Sequence, residues 1–281
     1  MNKIPENINA DLSNTLSKAY DDLISPSAKS IGNVVSLVPR TIEVFTSPWE
    51  NWVVAKETKL EDAVKEAAHI NEQKGLTESE IVPPDNHIAV PALQAISYSM
   101  ESEEIKSMFA HLLASATDIN LKDKVHPSFI DIIKNMTPFE ARVIKYLNSC
   151  VQAGCSAEIR LQLTNDPEIQ KTEIFTYNNT GLTISDNFLN LPFDYDVDEL
   201  NIAIDNLIRL KLVSVQEGSY INYEEEYFNL FTHPNFKKLY DLRLPDLFAI
   251  NKPDKYNQIT MVKTITQLTN IGKSFASICL P

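Results

Sequence analysis

The chain has 281 residues, 25 basic against 38 acidic side chains, and a net charge of −13. Such a charge repels phosphate backbones, which argues against unspecific nucleic-acid binding, and the length fits two domains or one large helical one. Six scattered glycines cannot assemble a Rossmann fingerprint or a P-loop; three cysteines, Cys150, Cys155 and Cys279, make no disulfide framework and suit a reducing compartment.

Near the N-terminus, Ile8, Leu12, Leu16, Ala19 and Leu23 recur at helical spacing until Ser25-Pro26, and a second segment, bent at Pro39, runs from about Ser27 to Phe45. Pro5, Glu6 and Asp11 interrupt any secretory core, so the expected location is the cytoplasm. The apolar run Ile31 to Val38 falls short of the roughly 20 residues a membrane span needs. Ser47-Pro48-Trp49-Glu50 is a capping box with proline at the first helical position. The helix it opens carries an apolar stripe of Trp49, Trp52, Val53, Leu60, Val64, Ala67 and Ala68 and is expected to end at Gly75. Trp49 and Trp52 read as core anchors of that helix or, alternatively, as an interface or membrane-surface contact.

Three prolines, Pro83, Pro84 and Pro91, mark a connector, after which helices resume. From about Glu101, the side chains Ile105, Met108, Phe109, Leu112, Leu113 and Ala116 fill one helical face opposite Glu103, Glu104 and Lys106. Pro127 to Met136 is expected to bury Phe129, Ile130, Ile132 and Ile133, and Thr137-Pro138-Phe139-Glu140 is a second capping box. Residues 1–136 therefore read as a helical N-terminal domain.

Beyond Cys150, residues 156–195 read as an insertion of short strands or irregular chain around Asn178-Asn179-Thr180-Gly181. A helix over Val197 to Leu210, two strands around Glu217-Gly218 and a strand over Gln258 to Leu268 follow in the order of a winged helix. The expected fold class is mainly α: a multi-helix domain over 1–136, then a winged-helix-like α+β module over 137–281.

The candidate chemistry is sparse. His69, His87, His111, His126 and His233 stand singly with no zinc-ligand spacing, and no nucleophile-base pair or cofactor motif is present, so neither catalysis, metal nor cofactor is expected. His126-Pro127-Ser128 stands at a helix entry and reads as a local cap, with a partner contact as the functional alternative. Cys150 and Cys155 are too far apart for a redox pair. Asp194, Asp196, Asp198 and Glu199 lack the glycine and terminal glutamate of a calcium loop, and Asp196 or Asp198 reads as a helix cap.

The runs MFAHLLASATD (Met108 to Asp118) and VHPSFIDIIKNMTPFEA (Val125 to Ala141), with the later pattern Thr269-x-x-Gly272-x-x-Phe275, resemble the Abi-alpha family of bacterial proteins linked to abortive infection, in which an infected cell stops supporting phage growth. The resemblance implies a role in phage defence. The expected mode is binding of a phage or host protein, with self-association compatible with it. The helix that would enter a DNA groove carries Asp196, Asp198, Glu199 and Asp205 against Arg209 and Lys211, so a DNA-binding regulator is the weaker alternative. A membrane-active helical effector, touching membrane on activation, is the other.

Overall fold

The computed structural model describes residues 62–99, 102–151, 153–162, 181–217, 224–239 and 258–281. They form two compact units: Met1–Pro138 with Ser274–Pro281, and Phe139–Lys273.

Among its described residues the first unit is helical apart from one β-bridge, Ile81 to Asp118. Helix α1 occupies 62–73. Gly75, at φ 72°, ends it: its N–H reaches the Glu72 carbonyl while Leu76 N–H reaches Asn71, the paired closure that favours glycine. Helix α2 (Asn86–Ser99) starts before Pro91, earlier than the proline pattern implies, and carries that residue inside it. Helix α3 (Glu103–Thr117) is capped by the Ser102 hydroxyl, which accepts from Ile105 N–H, and Glu103 and Glu104 complement its positive end. A short 3-10 turn (Lys122–Lys124) leads to α4 (Ser128–Lys134).

The core of this unit comes from the face the periodicity marks. Met108, Phe109, Leu112 and Leu113 of α3, Leu93 and Ile96 of α2 and Phe129 and Ile133 of α4 are all within 2% of full burial, and each such side chain contributes about 1.5–3 kcal/mol. The polar residues of the SATD run are also buried and bonded: Ser115 donates to the Ile278 carbonyl, Thr117 to Ala114, and Asp118 caps the Asn120 N–H. Phe275 packs edge-on against Phe129 with ring centroids 5.5 Å apart.

The second unit corrects the expected fold class. The protein is a mixed α and β fold, neither mainly α nor a winged helix. After α5 (Pro138–Ser149) come β1 (Gly154–Gln162), most of it within the stretch 156–195 read as an insertion, and β2 (Leu182–Leu189), wholly within it. They join β3 (Val213–Glu217) and β4 (Gln258–Leu268) in one antiparallel sheet of order β2-β1-β4-β3. Strand β1 pairs with β4 over nine residues, from Gly154 with Thr266 to Gln162 with Gln258. β3 pairs with β4, and Glu224-Glu225-Glu226, just past the expected hairpin, opens helix α7 (Glu224–Thr232). The rest of the supposed hairpin, 218–223, lies outside the described residues.

The physical reason is alternation. In β1, Cys155, Ala157, Ile159 and Leu161 point one way and Ser156, Glu158 and Arg160 the other, so a strand buried on both faces presents charged residues that resemble a solvated surface. Its polar face is bonded across strands, Ser156 to Thr264 at 2.7 Å and Thr266 to Ser156 at 2.9 Å, and along the strand, Arg160 to Glu158 at 2.6 Å.

Helix α6 (Val197–Arg209) has Asp196 as its N-cap and buries Leu200, Ala203, Ile204 and Leu207. It closes like α1, with Lys211 N–H to Ile208 and Leu212 N–H to Leu207, but here a lysine holds the left-handed position at φ 62°. A helical turn α8 over 234–239 and the final helix α9 (Asn270–Cys279) complete the elements, the residues of α9 from Ser274 onward belonging to the first unit. The Thr269-x-x-Gly272 pair acquires a structural reason here. Thr269 donates to the Lys211 carbonyl and accepts from Gly272 N–H at 3.0 Å. A Cβ on Gly272 would lie 2.0 Å from the Leu212 carbonyl oxygen, so only glycine lets these backbones cross.

Candidate functional site

The described residues of the sequence-derived site sit together in one turn. His126 is exposed; its Nδ1 accepts from the Ser128 N–H at 3.1 Å and lies 2.7 Å from the Ser128 hydroxyl. With Nδ1 accepting, the ring is the neutral tautomer with hydrogen on Nε2. Pro127 stands at the N-cap position of α4 and supplies no cap bond of its own, so the imidazole does that work. His126 tilts over Phe129 at 6.0 Å between centroids. Trp49 and Trp52 lie outside the described residues, as does the Ile31 to Phe45 segment. His111 Nδ1 is 2.9 Å from the Ser107 carbonyl, one turn earlier on the same helix.

The second unit contains the same device where the sequence reading named no site. In His233-Pro234-Asn235, His233 Nδ1 accepts from Asn235 N–H, again at 3.1 Å. This imidazole is held among rings: Phe188 stands edge-on at 5.6 Å, Tyr195 tilts over it at 5.4 Å, and Phe236 packs against Phe188 at 6.2 Å. Burial pulls its pKa below the ordinary histidine value, opposed in part by a backbone hydrogen bond with Leu191 and the charge of Asp194. Asn235, 2% exposed, donates from its side chain to the Tyr195 carbonyl at 2.7 Å. The repeated His-Pro dipeptide was the one sequence signal that could have found this turn.

Beside that turn opens a pocket of about 330 Å³. Tyr195, Val197, Asn235 and Leu239, all buried, supply its walls, and Asp194, Asp196 and Lys238 its charges. Lys238 Nζ lies 3.7 Å from Asp194, with both side chains mostly exposed. Asp196 Oδ1 accepts from Asp198 N–H at 2.9 Å and from Glu199 N–H at 3.2 Å, so this carboxylate is the cap of α6. From the pocket the outward side of α6 continues as Asp198, Glu199, Ile202 and Asp205, at helical spacing. Ile202 is 68% exposed.

Other reactive groups are tied down. Glu158 accepts from Arg160 on one oxygen and from Thr183 on the other, a buried structural pair. Burial pushes the Cys150 thiol up and the Cys155 thiol up to about 12, and Cys279 lies fully buried, which disfavours the thiolate at each. Among the described residues no group of three or more His, Cys, Asp and Glu side chains is placed to hold a metal ion. No described helix is long and apolar enough to cross a membrane.

A protein-family model described as abortive infection alpha matches residues 55–279, which include every described helix and strand of both units. No curated protein matches. A solved structure of an uncharacterized protein from the marine bacterium Alcanivorax borkumensis SK2 is similar to 53% of this chain and 90% of that one, at 12% identity and a TM-score of 0.33.

Proposed function

Because this chain belongs to the abortive infection alpha family, whose name ties it to the arrest of phage growth in infected cells, we propose that it works in the cytoplasm by binding a phage or host protein, not by catalysing a reaction. The observation that carries this reading is Ile202. A large aliphatic side chain stands exposed on the acidic outward side of α6, the helix whose first residues line a pocket with buried walls. Exposed apolar groups beside a concave site are what a protein partner covers, and a ring of charge around them sets which partner fits.

Two further features favour binding over catalysis. The histidines at both His-Pro turns use Nδ1 as a helix-capping acceptor, which removes that lone pair from general-base work. The thiols are held in the unreactive form by burial. The acidic outward side of α6 also opposes a phosphate backbone, so the reading names a protein and not a nucleic acid.

The test is Ile202→Arg. The side chain is mostly in solvent, so the variant is expected to melt with the native protein. Tagged native protein should recover a specific protein from infected or uninfected cells, the variant should not, and plaque assays should show loss of protection. Retention of both by the variant, or recovery of nucleic acid alone, would overturn the proposal.

A further inference from the structure

We propose that the pocket at the head of α6 receives an arginine side chain from a basic segment of the partner; this rests on the protein-binding reading above. Its volume suits one long side chain. About 330 Å³ lies at the small end of sites for discrete ligands, roughly 300–1,000 Å³. The walls contributed by Val197 and Leu239 are buried and apolar, a surface on which an aliphatic stem can lie while its charged head stays near water.

The charge at the mouth selects a cation. Asp194 and Asp196 stand against Lys238 alone, and Asp198 and Glu199 follow on the first turn of α6. A helix N-terminus by itself favours an anion. Here the two backbone N–H groups that would greet one, those of Asp198 and Glu199, already bond Asp196. Both of those bonds fall on Oδ1, so an incoming donor would use Oδ2.

The choice of guanidinium over ammonium follows from the chemistry of the two cations. Lys238 already offers an ammonium and rests 3.7 Å from Asp194, an exposed pair of the kind that holds weakly. A planar guanidinium sheds water more readily and presents several donors in a fixed fork, which favours it over an ammonium beside the carboxylates of Asp194 and Asp196. An arginine displaces Lys238 from Asp194 on entry. The net charge of −13 speeds the approach of such a basic segment from a distance.

The experiment uses full-length protein and a short blocked peptide with one arginine between leucines, compared with its citrulline analogue, which has the same shape without the charge. Binding is followed by the amide resonances of Asn235 and Lys238. The arginine peptide should shift both and bind about tenfold tighter than citrulline or better, the scale of one charge-assisted hydrogen bond. The double variant Asp194→Asn/Asp196→Asn should erase that preference without unfolding the protein, because asparagine caps a helix as well as aspartate. Equal binding of the two peptides, a preference that survives the double variant, or shifts of these amides by inorganic phosphate instead would each overturn the proposal. Phage protection separates its failure from that of the underlying reading. If the double variant still protects while Ile202→Arg does not, the arginine pocket is wrong and protein binding stands; if both still protect, protein binding falls as well.

Discussion

His126 and His233 start their helices by one device, a ring nitrogen accepting from the N–H two residues later at 3.1 Å, with proline between. Around that shared turn the surroundings differ. His126 stands in solvent with one aromatic neighbour, while His233 is half-buried between Phe188 and Tyr195 and adjoins the pocket through Asn235. The local motif therefore dictates the cap and nothing more. What the histidine costs to lose is set by residues far away in sequence, since Phe188 and His233 meet only after the chain has built α6, β3 and α7 between them.

The comparison breaks most readily at His233. Replacing it with alanine removes a ring packed between two others together with the acceptor for Asn235, and should cost the second unit about 2–3 kcal/mol, below the loss for a fully buried aromatic. Faster hydrogen exchange over 234–239 with little change over α4 is the expected result. Equal loss in the two units would mean that the cap, not the rings, carries the stability.

Acid should act on the second unit through His233. The His233 pKa is lowered in the folded protein, so below about 6.5, the ordinary histidine value, the unfolded chain binds a proton that the folded one refuses. The stability His233 contributes is complete above that value and falls away as the pH drops toward the folded pKa. Protonation also takes the Nδ1 lone pair from Asn235. Thermal melts between pH 7 and 5 should show the second unit weakening, and His233→Ala should flatten that dependence; an unchanged slope in the variant would place the sensitivity elsewhere.

At His126 the expected effect is smaller. Alanine there should cost about 1 kcal/mol, the ordinary worth of a helix cap, and asparagine should recover most of it. Phage protection should fall only as far as stability does. A His126→Ala protein that melts normally but no longer protects would turn this exposed turn into a contact site. Smallest of all is Ser128→Ala, expected within about 0.5 kcal/mol, because the Ser128 hydroxyl bonds only the exposed ring while its backbone N–H keeps the cap. A loss above 1 kcal/mol in chemical denaturation would show that the hydroxyl orders the imidazole.

The helical elements were legible because their signals are local. The apolar set of α3 appears in the core residue for residue, and Val197–Arg209 and Gln258–Leu268 match the expected helix and strand closely. β1 and β2 were not. Glu158 and Arg160 look like solvent-facing residues until their partners, Thr183 and Thr260, are brought alongside from other strands. Two register shifts in the β1–β2 pairing also break the alternation of β2. The His126 turn could be named from its residues. The pocket could not, because Asp194 and Asp196 join Asn235 and Lys238 only in three dimensions.

One consequence of the sheet order concerns the time at which the protein becomes a protein. The innermost bond of the sheet joins Ser156 to Thr264, 108 residues later, and the helical unit has Phe275 and Ile278 fixed in its core. Neither unit can close while the ribosome is still short of β4 and α9. Until then β1 waits with its β4 side unpaired, a sticky edge that invites other chains. Contacts so distant along the chain also make folding slow. Prematurely terminated copies should consequently reach the cell as aggregates and not as half-active fragments, so a cell that stops translation early makes no partial version of this molecule.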